Sequence, residues 1–228
     1  MPKKTVLITG SSRGLGKSLA LTFAGHGYSV ILHGRDRARL NSVRREILKN
    51  GVDCSVIIGD IAKKSTIDKL TLCAKKLDID ILINNAAIFT NKLLEEITAD
   101  EIKKIVDVNL VAPILLTKSV YGFFKKKGNG QIININSVAG KTFNMDESMY
   151  SAAKHGLRGF MTSFQFEAVK HNVSVMNVYP GAIDTDMIRR NNVQKLIKAN
   201  EAAELIYLTS QNYSSVRTSE IDILRKIY

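Results

Sequence analysis

Two stretches of this sequence set a phenol and an ammonium four residues apart: Tyr150 with Lys154 in "MYSAAKHG", and Tyr121 with Lys125 in "YGFFK". Either pair would share one face of a helix. Such a pair can move a proton, but a phenol with a reference pKa of about 10 is a poor shuttle near neutrality. Lowering it by about 3 units takes roughly 4 kcal/mol of differential stabilisation. An ammonium one turn away favours the phenolate and supplies part of that. The surroundings separate the two pairs. Ser137 closes the apolar run "QIININS" thirteen residues before Tyr150, whereas Val108 occupies the same offset before Tyr121. Tyr121 and Lys125 lie in the tail of a long helical stretch with no strand end nearby, and they read as structural or interfacial. Ser137, Tyr150 and Lys154 are the candidates for chemistry.

A regular alternation of elements must position them. Apolar runs of strand length lie at 4–9, 28–33, 54–59, 80–84, 131–137, 173–180 and 220–225, and helical-period segments at 14–25, 37–49, 63–77, 99–126, 149–171 and 201–209. The runs are continuously apolar, as expected for strands covered on both faces. Gly27, Gly51 and Gly128 stand where helix ends favour a left-handed residue. The pattern predicts an α/β fold: one Rossmann-type, doubly wound domain over 1–228, with a parallel sheet of about seven strands. Ligands in such folds bind beyond the carboxyl ends of the strands, so the residues after each strand matter most.

After the first run comes "TGSSRGLG", with Gly10, Gly14 and Gly16 in a GxxxGxG spacing and Ser12, Arg13 and Leu15 between them. A tight turn from strand to helix lets backbone N–H groups and a helix N-terminus approach a pyrophosphate. The second run ends in "LHGRD", where Arg35 occupies the region in which a carboxylate would bind an unphosphorylated ribose. Arg13 and Arg35 border one ribose, and guanidinium forks suit a 2′-phosphate there, which favours NADP. Asp36 is expected to cap the following helix.

In this order the chain resembles the short-chain dehydrogenase/reductase family over nearly its whole length: "TGSSRGLG" at 9–16, "GDI" at 59–61, "NNAA" at 84–87, Asn109 in "VNL", Ser137, Tyr150 with Lys154, and "PGAIDT" at 180–185. The resemblance implies a carbonyl reductase in which Tyr150 protonates the substrate oxygen as NADPH delivers hydride, and Ser137 holds that oxygen. The positive nicotinamide ring of the oxidised cofactor would add to the lowering of the Tyr150 pKa. Lys154 would also grip the nicotinamide ribose, and Asn109 would hold a water linking Lys154 to solvent. Asn109 has a second reading, as a helix residue whose side chain distorts the backbone hydrogen bonding. Asp60 and Ile61 resemble the adenine contacts, and Asn85 and Ala86 the residues along the cofactor. Pro180, Gly181, Ile183 and Thr185 resemble the segment that backs the nicotinamide.

The rest of the sequence narrows the partners. The net charge of +12 comes from basic residues scattered in short groups at helix ends and on polar faces, which disfavours nucleic acid and suits an anionic small ligand. No run approaches 18 consecutive apolar residues, and the first strand starts at Thr5, so a soluble, cytoplasmic protein without a membrane span is expected. Cys54 and Cys73 read as reduced, structural thiols, and no metal site is expected; His26, His33, His155 and His171 receive no catalytic role. Ala87 replaces the usual glycine of the fourth-strand motif. The ending "SSVRTSEIDILRKIY" looks more like short carbonyl and 3-hydroxy acid reductases than like 3-oxoacyl-acyl carrier protein reductases, which form the named alternative. A non-catalytic NADP-sensing protein is the rival from another class, and the joint presence of serine, tyrosine and lysine speaks against it. A short substrate lid is expected at about 186–200, and a homodimer or homotetramer through the helices at 99–126 and 149–171.

Overall fold

The computed structural model describes residues 3–143, 145–185, 196–211 and 216–225. Seven strands form one sheet: β1 (Thr5–Ile8), β2 (Ser29–Gly34), β3 (Cys54–Ile58), β4 (Ile81–Asn84), β5 (Gly130–Ile135), β6 (Val173–Pro180) and β7 (Glu220–Ile223). Their order is β3-β2-β1-β4-β5-β6-β7, and every pairing is parallel. The helices are α1 (Gly14–Gly25), α2 (Arg37–Leu48), α3 (Lys64–Lys76), α4 (Ala99–Val106), α5 (Ala112–Lys127), α6 (Ser148–Ala168) and α7 (Ala199–Ser210).

The continuous apolar strands are explained by two cores. Val6 and Ile8 of β1 point into a core with Leu19 and Phe23 of α1, Leu40 of α2 and Ile206 of α7. Leu7, between them, points into the opposite core with Leu70 of α3, Phe124 of α5 and Met161 of α6. A strand covered on both faces has no polar side, and each large aliphatic side chain it buries is worth about 1.5–3 kcal/mol. The helical run Ala99–Lys127 is apolar enough by composition to cross a membrane. Its Leu116, Val120 and Phe124 are buried in the second core, which accounts for that composition.

Most expected elements are present within a residue or two of their expected ends. Gly27, Gly51 and Gly128 all take positive φ at helix ends, and the Asp36 carboxylate accepts the Arg39 N–H at 3.0 Å as the cap of α2. The helix expected at 99–126 is present as one run, Ala99–Lys127, with a π turn over Asp107–Val111 between α4 and α5 whose cause lies in the site described below. The expected lid at 186–200 falls largely on 186–195, outside the described residues. Ile197 pairs with Ile183, and residues 199 and 200 already belong to α7.

The strand order reverses between β1 and β4, which opens a crevice at their carboxyl ends. Close packing also sets limits far from it. A Cβ on Gly130, the first residue of β5, would lie 2.2 Å from the Phe124 ring. Gly130→Ala should therefore destabilise the protein by about 1–3 kcal/mol, the usual cost of overpacking, read as a lower midpoint in urea unfolding with an unchanged slope.

Candidate active site

The crevice begins with a lock between the ends of β1 and β4. The Thr9 hydroxyl oxygen accepts the backbone N–H groups of Asn85 at 2.9 Å and Ala86 at 3.0 Å. In return Asn85 Nδ2 donates to the carbonyls of Thr9 at 2.8 Å and Gly10 at 3.1 Å. The lock draws the two loops so close that glycine is required. Gly10 has φ of +67° and no room for a Cβ, which would lie 2.8 Å from the Ala86 Cα; a Cβ on Gly16 would lie 2.3 Å from the Gly10 carbonyl. Gly14 sits against the side chain of Thr185. The turn then feeds α1, whose N-terminus faces the crevice, the arrangement that favours an anion.

A cleft of about 230 Å³ runs from this turn across the sheet. Its walls hold Gly10, Ser12, Arg13, Gly14, Leu15 and Gly16 from the first turn, and Arg35 beyond β2. Asp60 and Ile61 follow β3, Asn85 and Ala86 follow β4, and Ser137, Tyr150 and Lys154 stand at the far end. Pro180, Gly181, Ile183 and Thr185 complete it. All of the sequence candidates except Asn109 therefore line one cleft. Arg13 and Arg35 are exposed at its rim, while Asp60 bends its own loop by accepting the Ala62 N–H at 3.1 Å.

Asn109 is buried behind the wall. Its Oδ1 accepts the Ile88 N–H at 2.9 Å and its Nδ2 donates to the Ile88 carbonyl at 2.8 Å. This two-point grip on a neighbouring loop coincides with the π turn at 107–111, in keeping with the reading of Asn109 as a residue that distorts the helix hydrogen bonding.

Ser137 ends the segment after β5. Its hydroxyl oxygen accepts the Ala139 N–H at 3.2 Å and so caps the short 3₁₀ turn Val138–Gly140. Tyr150 and Lys154 lie in the first turns of α6, both buried. Lys154 Nζ donates to the Ile135 carbonyl at 3.1 Å and lies 5.7 Å from the Tyr150 ring centre. The Asn136 side chain donates to the Lys154 carbonyl at 3.2 Å, tying α6 to β5. The serine turn is braced from the other side by Lys141. Its ammonium contacts Asp222 at 2.7 Å and Glu220 at 3.3 Å on β7, and lies 3.9 Å over the ring of buried Tyr179. The Tyr179 hydroxyl donates to Glu220 at 2.9 Å.

Burial dominates the electrostatics of Tyr150 in the protein alone. Its pKa is pushed up to about 12, chiefly by burial; a hydrogen bond with Ser137 works the other way, and the Glu147 carboxylate adds to the rise. Burial also brings the Lys154 ammonium down to about 8. In the protein alone, desolvation is the largest influence on both groups. The phenol is thus held protonated at neutral pH, the form in which it can donate. By contrast, the Tyr121 ring packs edge-on against Phe164 at 4.9 Å and its hydroxyl meets the Glu167 carbonyl at 3.4 Å, a structural role.

The short chain dehydrogenase family matches residues 4–196. The chain belongs to the short-chain dehydrogenase/reductase family. It is 35% identical to the 3-oxoacyl-[acyl-carrier-protein] reductase of Synechocystis sp. over 86% of its own length and 80% of that protein's. The corresponding reductase of Buchnera aphidicola is 32% identical, over 99% of this chain and 98% of that protein. Among solved structures, an alcohol dehydrogenase of Thermococcus sibiricus complexed with 5-hydroxy-NADP has 25% identity and a TM-score of 0.90, covering 99% and 97% of the two chains. The full-length match to the Buchnera reductase removes the argument that the C-terminal sequence sets this short-chain dehydrogenase apart from 3-oxoacyl reductases.

Sequence reasoning passed over several lining residues: His33, Gly34, Gly59, Ala87, Ile88, Val108, Ile135 and Asn136. His33 is the most informative. Its Nδ1 accepts the Gly10 N–H at 3.4 Å, and its backbone exchanges hydrogen bonds with Ser11. Burial brings its pKa down to about 4, so the ring is neutral and serves as an acceptor for the glycine turn. Its place at the end of β2, beside Gly34 and Arg35, was the available signal.

The buried ammonium carries a testable cost. Because the Lys154 pKa falls from 10.5 to about 8 on folding, the unfolded chain binds more protons between those values. Folding is penalised in full below pH 8, and the penalty fades as pH rises toward 10.5. Lys154→Met should raise the melting temperature of the cofactor-free protein at pH 7, by about 2–4 °C per kcal/mol relieved, with the gain shrinking by pH 10. Thermal melts at both pH values test this.

Proposed function

We propose that this short-chain dehydrogenase is an NADPH-dependent reductase of a ketone or aldehyde, reversible when NADP is in excess. The observation that carries the reading is that Ser137, Tyr150 and Lys154 converge at one end of a cleft whose other end is a glycine turn flanked by two arginines. The site fits the dinucleotide on its own terms: Gly10 and Gly16 leave no room for a Cβ where the backbone must approach a pyrophosphate, and Arg13 and Arg35 supply guanidinium groups for a 2′-phosphate. When bound, the cofactor supplies the hydride. Tyr150 then donates its phenolic proton to the substrate oxygen, and its raised pKa keeps that proton in place until charge develops on the oxygen. Ser137 holds the same oxygen by hydrogen bonding. Lys154 would hold the nicotinamide ribose and would lend its charge to the phenolate left behind. Asn109 would hold a water linking Lys154 to solvent.

A second reading, 3-oxoacyl-acyl carrier protein reduction, is favoured by the Synechocystis and Buchnera relatives. It uses the same residues and differs in the substrate. We place the protein in the cytoplasm as a homodimer or homotetramer joined through α4–α5 and α6. The exposed Val111, Leu115, Phe166 and Val169 side chains of that region support the pairing.

NADPH oxidation should be seen with at least one member of a panel of diketones, aldehydes and 3-oxo esters, and Tyr150→Phe should abolish it while NADPH still binds. Equal inertness of wild type and variant toward the whole panel would overturn the reading. Separately, Arg35→Ala should weaken NADPH binding by roughly 10- to 100-fold, the loss of a charge-assisted hydrogen bond, and leave NADH binding unchanged. Titration of both nucleotides checks it.

A further inference from the structure

Because every strand pairing is parallel, each connecting helix runs back along the sheet, and the helix C-termini gather at the end where the strands begin, opposite the cleft. Basic groups that are scattered in the sequence meet there. Arg45 lies in the last turn of α2 and Lys49 caps it, Lys75 and Lys76 end α3, and Lys125 and Lys126 belong to the last turn of α5. All six are exposed, and among the described residues no ion pair links any of them to a carboxylate.

The surface between these helix ends is continuous. Lys3 Nζ donates to the Gly51 carbonyl at 2.9 Å, the Ser29 N–H donates to the Lys4 carbonyl at 2.9 Å, and the Asn172 side chain donates to the Gly128 carbonyl at 2.9 Å. Lys127 contacts Asp78 at 3.1 Å and Asp80 at 3.0 Å, so those two carboxylates are already matched. Asp53 and Glu167 are the exposed carboxylates left at this end among the described residues, and Lys3 and Lys4 add two further exposed ammonium groups. Leucines stand among the charges. Leu72, 70% exposed, lies one turn before Lys75 and Lys76 on α3, exposed Leu77 caps that helix, and exposed Leu48 precedes Lys49. Basic side chains complement the dipole at a helix C-terminus, but that accounts for no leucine exposed beside them.

We propose that this end of the sheet is a docking surface for the anionic headgroups of a lipid bilayer. The ammonium and guanidinium groups meet the headgroup charges, and the leucines enter the interface between them. Nucleic acid would use the charges and give the leucines no role. A carrier protein seated here would lie across the sheet from Tyr150 and could not deliver a thioester to it. Docking leaves the cleft facing solvent, so dinucleotide and substrate enter from water, and the contact is peripheral and needs no span.

The test is cosedimentation with vesicles of phosphatidylcholine alone or mixed with phosphatidylserine, at low and high salt. Wild type should bind the mixed vesicles at low salt, bind the neutral ones far less, and be released by salt. Each basic residue near an anionic surface is worth about fivefold in partition, so Lys75→Glu/Lys126→Glu should lower binding by at least about 25-fold. Lys63→Glu/Lys64→Glu makes the same change in net charge at the other end of α3 and should stay within about threefold of wild type, because screening confines the effect to nearby charges. Leu72→Ser/Leu77→Ser should weaken binding by about tenfold. NADPH binding by every variant, followed by cofactor fluorescence, reports that the fold is intact. Equal binding to neutral vesicles, or equal losses in the two lysine variants, would overturn the proposal. So would vesicle binding indifferent to the leucines alongside tight binding of duplex DNA, which marks a nucleic-acid face. A leucine variant that changes the mass in light scattering and leaves vesicle binding intact would also overturn it, by assigning the face to a second copy of the chain.

Discussion

The exchange of hydrogen bonds between Thr9 and Asn85 is the constraint on which the site is built. It spans the point where the strand order reverses and draws together the loops that follow β1 and β4. The requirement for glycine at positions 10 and 16 follows from it, since the loops approach within the reach of a single Cβ. So does the mouth of the cleft, because α1 and the segment after β4 are its two lips. Asn85, whose place in the sequence suggests a ligand contact, also ties the loop after β1 through its side chain.

At the other end of the cleft the organising cost is desolvation. Tyr150 and Lys154 are both taken out of water, and burial is the largest influence on the pKa of each. A pair left partly in water would be cheaper to fold around and weaker at discriminating between a neutral and a charged oxygen nearby. The buried arrangement stores that difference in the protein. A bound dinucleotide, with its ring and ribose hydroxyls, would supply the missing partners.

The sheet was legible because a strand covered on both faces favours apolar residues, as in Val6, Leu7 and Ile8 of β1; β7, with Glu220 and Asp222 exposed at the sheet edge, departs from that rule. The glycine turn and the Ser137, Tyr150 and Lys154 set were legible because strand ends fix where side chains converge. Three features were not. The break between α4 and α5 depends on a partner, Ile88, twenty-one residues away, so Asn109 gives no local sign of it. The direction of the Tyr150 shift depends on how deeply two groups are buried, which four-residue spacing does not encode. His33 looked idle because its partner, Gly10, lies on another strand end.

The brace at Lys141 has a consequence in time. Ser137 sits on a short turn whose far end is held by Glu220 and Asp222, and these follow in the chain every other residue placed in the site. As the chain emerges during synthesis, the glycine turn, the β1–β4 lock and the tyrosine helix can all assemble first. The serine turn receives its last anchor only when β7 joins the edge of the sheet, so the dinucleotide cradle is complete in a nascent chain before the chemistry is.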